Sequence, residues 1–326
     1  MLKHIQTDRE GNQAHIQALS LPRLSSYRRF FGVDNEQALR IYQWNDELSA
    51  ALFLTIRQLE VLLRNQFHRA LSLRYGTTGS HGSRDWYAYV NLTPKSQDSI
   101  KNITHHKKKK SPSSPDDVIS RLTFGFWPHL LDLAKDAQGQ PIDWGSTLLD
   151  VLPGHRQRQA TYWSQRKYQD MLFARLDLCN EIRNRLAHHE PIWKLGPLMH
   201  EGRPRKGKPL TEQLPAPSTP DEALARLRLL YDRMTELLRW LSPASVRQYL
   251  HSPLHLRCLN LLQPETLQAY RSGNQLAEIN LSTINTMRTL RKTLRYAARH
   301  QQPILLKDGQ YILGHITCHK TTTSLP

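Results

Sequence analysis

Cysteine is scarce in this 326-residue chain. Cys179, Cys258 and Cys318 are odd in number and far apart, which excludes a disulfide framework and suits a reducing compartment. Long apolar runs are missing too. None approaches the ~20 residues a bilayer-spanning helix needs, and the opening MLKHIQTDREGNQ lacks the apolar stretch of a secretory signal. A cytoplasmic protein with no membrane partner is therefore expected. Acidic residues are in deficit: 28 Asp and Glu against 45 Lys and Arg leave a formal net charge of +17. An excess of that size predicts a polyanionic partner, and clustered lysines with interleaved aromatics favour nucleic acid. A Gly-rich phosphate loop, paired CxxC motifs and HExxH are all missing, so no cofactor is expected. No metal is expected either. His315, Cys318 and His319 lack an obvious fourth ligand, and the adjacent His188 and His189 would point ~100° apart on a helix.

What is present is mostly helical pattern. Hydrophobic residues make up 39% of the chain, enough for a real core. Residues 1–18 are polar and are expected to fray. A strong helix is expected over Glu36 to Arg74, with Leu52, Ile56, Leu59, Leu63, Phe67 and Ala70 on one face. HHKKKKSPSSP, residues 105–115, is a basic insert. Its Lys107, Lys108, Lys109 and Lys110 read either as RNA-backbone contacts or as a solvated loop. Ser114-Pro115-Asp116-Asp117 reads as a capping box opening the helix DDVISRLTFGFWPHLLDLA, which Pro128 should kink or end. Another helix begins near Ser164. Residues 196–218 form a basic, Pro- and Gly-rich loop, and Thr219-Pro220-Asp221-Glu222 caps a further helix that stops before Ser242-Pro243.

After Leu262 the texture changes. LAEINLS suggests a strand, and STINTMRTLRKTLRYAARH a helix with Ile284, Met287, Leu294 and Ala298 on one face. Asp308-Gly309 suggests the turn of a hairpin. The expected fold is thus mainly α: a flexible 1–18, a helical domain over 19–262, and a small basic α+β module over 263–326.

Two charges stand out on the helical wheels. Glu60 lies ~40° from Ile56, at the edge of the apolar face, with Arg64 one turn later. In the helix after Ser164, Tyr168, Leu172, Leu176, Cys179 and Leu186 share a face, and Arg183 falls ~20° from Leu172 on it. Burying either charge alone is costly, so a buried Glu60–Arg183 pair or a shared polar site is expected.

The second helix ends in EIRNRLAHHEPIW, Glu181 to Trp193. On a straight helix Arg183 and His188 diverge by ~140°, but Pro191 disfavours helical geometry at Glu190 and should loosen the end near the histidines. An arginine fixed by packing beside such histidines has the parts for RNA cleavage. A histidine can take the proton of a 2′-hydroxyl or supply one to the leaving 5′-oxygen, and a guanidinium can hold the phosphate. The plainer alternative is a structural Glu60–Arg183 pair with His188 capping the helix end. Arg185, on the opposite face, is an ordinary exposed charge or an RNA contact.

Arg183-Asn184-Arg185-Leu186-Ala187-His188 resembles the RNxxxH form of the motif of HEPN-superfamily nucleases. Together with IYQWNDELSAALFLTIRQLEVLLRN and SRLTFGFWPHLL, NRLAHHEPIW is similar to the bacterial Abi-like (abortive infection) proteins of that superfamily, over roughly residues 20–260. The resemblance implies a HEPN-like helical bundle and a homodimer that brings two motifs together. It also implies metal-independent endoribonuclease action in antiphage defence or as a toxin, leaving 2′,3′-cyclic phosphate ends. His188 would then be the general acid/base and Arg183 the phosphate contact. Asn184 would be a polar support and Glu60, in the segment that continues to Arg64, would orient Arg183. His189 and Glu190 match the Abi-like extension without an assigned role. A restraining antitoxin or other regulatory partner fits the toxin reading. The rival readings are a non-catalytic RNA-binding protein and a helical interaction protein.

Overall fold

Helical periodicity governs the architecture. The computed structural model describes residues 9–105, 114–204, 209–273, 277–284, 286–299 and 304–316. Its helices, in chain order, are α1 (Arg9–Leu19), α2 (Leu21–Phe31), α3 (Asn35–Ser72), α4 (Pro94–Thr104), α5 (Pro115–Arg121), α6 (Trp144–Val151), α7 (Ala160–Trp163) and α8 (Arg166–Ala187). α9 (Pro220–Leu241), α10 (Pro243–Leu250), α11 (Pro253–Leu261), α12 (Pro264–Ser272) and α13 (Met287–Arg299) follow.

α3 is the axis of the fold. Its 38 residues contain neither proline nor glycine, and the Asp34 side chain caps it by accepting the Gln37 N–H at 2.8 Å. All six apolar positions read from the wheel are buried. α2, α6, α8, α9, α11 and α12 pack around α3 and cover it on several sides. The indole of Trp44 donates to the Leu261 carbonyl at 2.8 Å, tying α3 to the end of α11. α9 opens with the full capping box expected at Thr219 and Glu222.

Several expectations are corrected. The segment expected to fray contains α1, which buries Ile16; residues 1–8 lie outside the described residues. The helix expected from Asp116 to Ala134 breaks after Arg121. Leu122 and Thr123 turn extended, and two 3-10 turns follow, Phe124–Phe126 and Pro128–Asp132. There Phe124, Phe126, Trp127, Leu130 and Leu131 are all buried, more than one helix face could hide. The change of texture expected after Leu262 comes later, because α12 packs on α3 and its Leu267 joins the main core. Two short strand pairs, β1 (Gly79–Ser80) with β2 (Ser83–Arg84) and β3 (Leu198–Met199) with β4 (Glu212–Leu214), tighten loops.

The C-terminal α+β module is as expected in outline. β5 (Ala277–Asn280) runs parallel to β6 (Ile304–Asp308), which pairs antiparallel with β7 (Tyr311–Ile316). Gly309 takes φ 55° at the hairpin turn, a conformation that suits glycine. The module has its own small core of Ile279, Ala297 and Ile304. Of the four residues read on one face, Ile284 and Leu294 pack on this core, whereas Met287 and Ala298 are exposed; Leu290 and Ala297 face inward in their place. Among the described residues no helix is long and apolar enough to cross a membrane.

Candidate functional site

The end of α8 is a closed backbone turn. The N–H of His188 donates to Asn184 O at 2.9 Å, His189 N–H to Leu186 O at 3.1 Å, and Glu190 N–H to Arg185 O at 2.9 Å. His189 sits at φ 54°, the left-handed position that glycine usually fills. The helix stops at Ala187, in line with the approach to Pro191. Because backbone N–H groups satisfy these carbonyls, the imidazole of His188 is not needed as a cap. It is exposed, and among the described residues its side chain has no hydrogen-bond partner.

The turn is held from several sides. Ile192 is fully buried, and its N–H donates to the buried Asn45 Oδ1 of α3 at 2.9 Å. Trp193 stacks on Phe30 with centroids 4.6 Å apart and meets Tyr27 and Phe31 edge-on. Arg23 Nη2 donates to the His189 carbonyl at 2.8 Å. Arg185 departs from the free surface charge expected of it. It is half-buried, donates to the carbonyls of Lys194 and Pro191, and lies 3.7 Å from the Glu190 carboxylate. It clasps the chain after the turn, and an RNA contact would have to compete with those bonds.

Two clefts flank this turn. One, of about 460 Å³, is lined by Asn184, Arg185, His188, Glu190 and Arg226 among others. The other, of about 560 Å³, is lined by Arg23, Tyr42, Asp46, Phe53, His189 and Glu190 among others. The adjacent histidines thus line different clefts. In the second, burial pushes the Asp46 carboxyl above the usual carboxylate range, against the hydrogen bond from Tyr42 and the charge of Arg23.

Arg183 lines neither cleft. It is half-buried, and its Nη1 donates to Asn184 Oδ1 at 3.3 Å, which links it to a residue of the His188 cleft. The buried Glu60–Arg183 pair is not formed. Both residues are half-buried, and among the described residues they make no ion pair with each other. The cause is a drift of the buried stripe. Near its end α8 buries Cys179, Ile182 and Leu186, and Arg183 lies roughly 65° off the centre of that stripe on the wheel. Arg64, also half-buried, donates to the Ser120 carbonyl at 2.8 Å and so holds the end of α5. Lys107, Lys108, Lys109 and Lys110 lie outside the described residues, as do Cys318 and His319. Among the described residues no cluster of His, Cys, Asp or Glu is placed to hold a metal ion.

The sequence reading missed a charge network deeper in the body. Arg175 of α8 is buried, 2.5 Å from Glu201 Oε1 and 2.7 Å from Glu236 Oε2, with Arg233 Nε 3.7 Å from Glu201. Burial alone would lower the Arg175 guanidinium, but the two carboxylates outweigh it and hold it above its ordinary value. A signal was present: Arg175 lies ~60° from Leu172 on the same wheel that singled out Arg183.

The profile of the Abi-like protein family matches residues 14–194, more than half of the chain. The chain belongs to the Abi-like protein family. The match runs from within α1 to the residue after Trp193, so it covers α3, α8 and the clamped turn. α9 to α12 and the C-terminal module of this Abi-like chain lie beyond it. No curated protein and no solved structure compared with the chain matches it.

Proposed function

We propose that this Abi-like chain is a metal-independent endoribonuclease of the HEPN type, acting in abortive infection or as a toxin. The observation that carries the reading is the His188 imidazole. It is exposed on a rigidly clamped turn, without a hydrogen-bond partner among the described residues, in a cleft it shares with Asn184. A histidine placed this way accepts the proton of a ribose 2′-hydroxyl as that oxygen attacks the adjacent phosphorus. The bond from phosphorus to the 5′-oxygen breaks, and a second imidazole returns a proton to that leaving oxygen. The products are a 2′,3′-cyclic phosphate and a 5′-hydroxyl. The Arg183 guanidinium holds the phosphate and offsets the negative charge that the phosphorane develops.

Within one copy Arg183 lies outside the His188 cleft, which supports a homodimer in which the partner's arginine completes the site. The same separation favours a second reading, a catalytically silent RNA-binding protein served by the +17 charge. Cleavage of single-stranded RNA in EDTA by the purified protein separates the two. Loss of cleavage in His188→Ala at an unchanged melting temperature supports the enzyme. Cleavage unaffected by that substitution, or none in the parent, overturns it.

A further inference from the structure

The C-terminal module carries a feature that the proposed chemistry does not use. α13 reads MRTLRKTLRYAAR and contains no acidic residue. Its cations are Arg288, Arg291, Lys292, Arg295 and Arg299, spaced i, i+3, i+4, i+7 and i+11. At ~100° per residue all five fall within an arc of about 100°. All five are exposed, and among the described residues none forms an ion pair or hydrogen bond through its side chain. With a rise of ~1.5 Å per residue the stripe is about 16 Å long.

The opposite face of α13 holds Leu290, Leu294 and Ala297, which pack against Ile279 and Ile304 of the sheet. That packing decides between polyanions. A helix that lies on an anionic membrane inserts its apolar face between the lipids, and here that face is already occupied. Five like charges on one short face repel one another when solvated, so a surface that keeps them together is suited to a regularly charged polymer. Close approach to successive phosphates releases condensed counterions and offsets the repulsion. We infer that the basic stripe of α13 docks the phosphodiester backbone of a nucleic acid. This surface lies beyond the residues of the Abi-like match and does not rest on the cleavage reading.

The test is the salt dependence of binding by the full chain. Fluorescence anisotropy would use a 2′-O-methyl RNA strand, which has no free 2′-hydroxyl to attack, and separately a DNA duplex. If the stripe engages the probe, Arg291→Gln/Arg295→Gln/Arg299→Gln flattens the slope of log K against log[salt]. The expected change is about 2 for a single strand or about 2.7 for a duplex, from ~0.7 and ~0.9 per phosphate contact. The larger effect identifies the preferred strand type. Unchanged slopes on both probes overturn the inference. So does loss of binding to phosphatidylserine vesicles while both nucleic-acid slopes stay the same. Should the triple variant melt lower than the parent, each single substitution still has to flatten the slope by ~0.7 to ~0.9. A protein that binds through this stripe but cuts nothing keeps this inference and loses the enzymatic one.

Discussion

Replacing His189 with glycine tests the account of the turn that presents His188. His189 occupies the left-handed region at φ 54° with two backbone bonds closing over it. A residue with a Cβ gives up about 1–2 kcal/mol there, at the low end for histidine, which visits the region more readily than β-branched residues. Glycine removes that strain but loses about 0.5–1 kcal/mol more chain entropy on folding. The difference favours His189→Gly by about 0.5 kcal/mol, with a ceiling near 1 kcal/mol. For a domain of this size that is a rise of roughly 1–4 °C in melting temperature. His189→Ala keeps the Cβ and removes only the imidazole, so it should lie at or slightly below the parent. The assay is thermal or urea unfolding of the three proteins under one buffer condition. A glycine variant more than about 1 kcal/mol less stable than the parent would refute the reasoning. It would mean that the imidazole, beside Asp46 and Glu190 in its cleft, contributes more than the backbone strain costs.

Arg175→Met should lower stability by about 3 kcal/mol or more in urea unfolding, since Glu201 is then left with only Arg233 at 3.7 Å; adding Glu201→Gln should recover part of the loss. Acid should also destabilise the protein. Burial holds His68 and His155 below their ordinary value of 6.5, so the unfolded chain binds protons more readily than the folded one. Their contribution is intact above pH 6.5 and is lost as the pH falls from there through the lowered folded values. The denaturation midpoint should therefore drop as the pH falls below 6.5, and a flat midpoint there would contradict this.

The long elements were legible because their signals are local. The apolar repeat of α3, its termination near Ser72, and the Thr219–Glu222 cap depend on residues within a few turns of one another, and each was found where the chain implied it. The helix-stopping influence of Pro191 was legible for the same reason. Closure of that turn by a left-handed histidine was not, because no residue type at position 189 announced it. The wheel misjudged Arg183 because an ideal wheel ignores which neighbours cover a helix along its length, and the buried stripe of α8 turns toward Ile182 and Leu186. It passed over Arg175 because its partners, Glu201 and Glu236, come from distant segments that only the fold unites. Arg185 was misread for a related reason: its bonds run to carbonyls of Pro191 and Lys194, atoms without a sequence signature.

The most direct test of the central proposal is incubation of purified protein with single-stranded RNA in EDTA, followed by identification of the new ends. Cleavage that leaves 2′,3′-cyclic phosphate and 5′-hydroxyl ends, abolished by His188→Ala at an unchanged melting temperature, is the predicted result. Ends of any other kind, or cleavage that survives the loss of this imidazole, would contradict it.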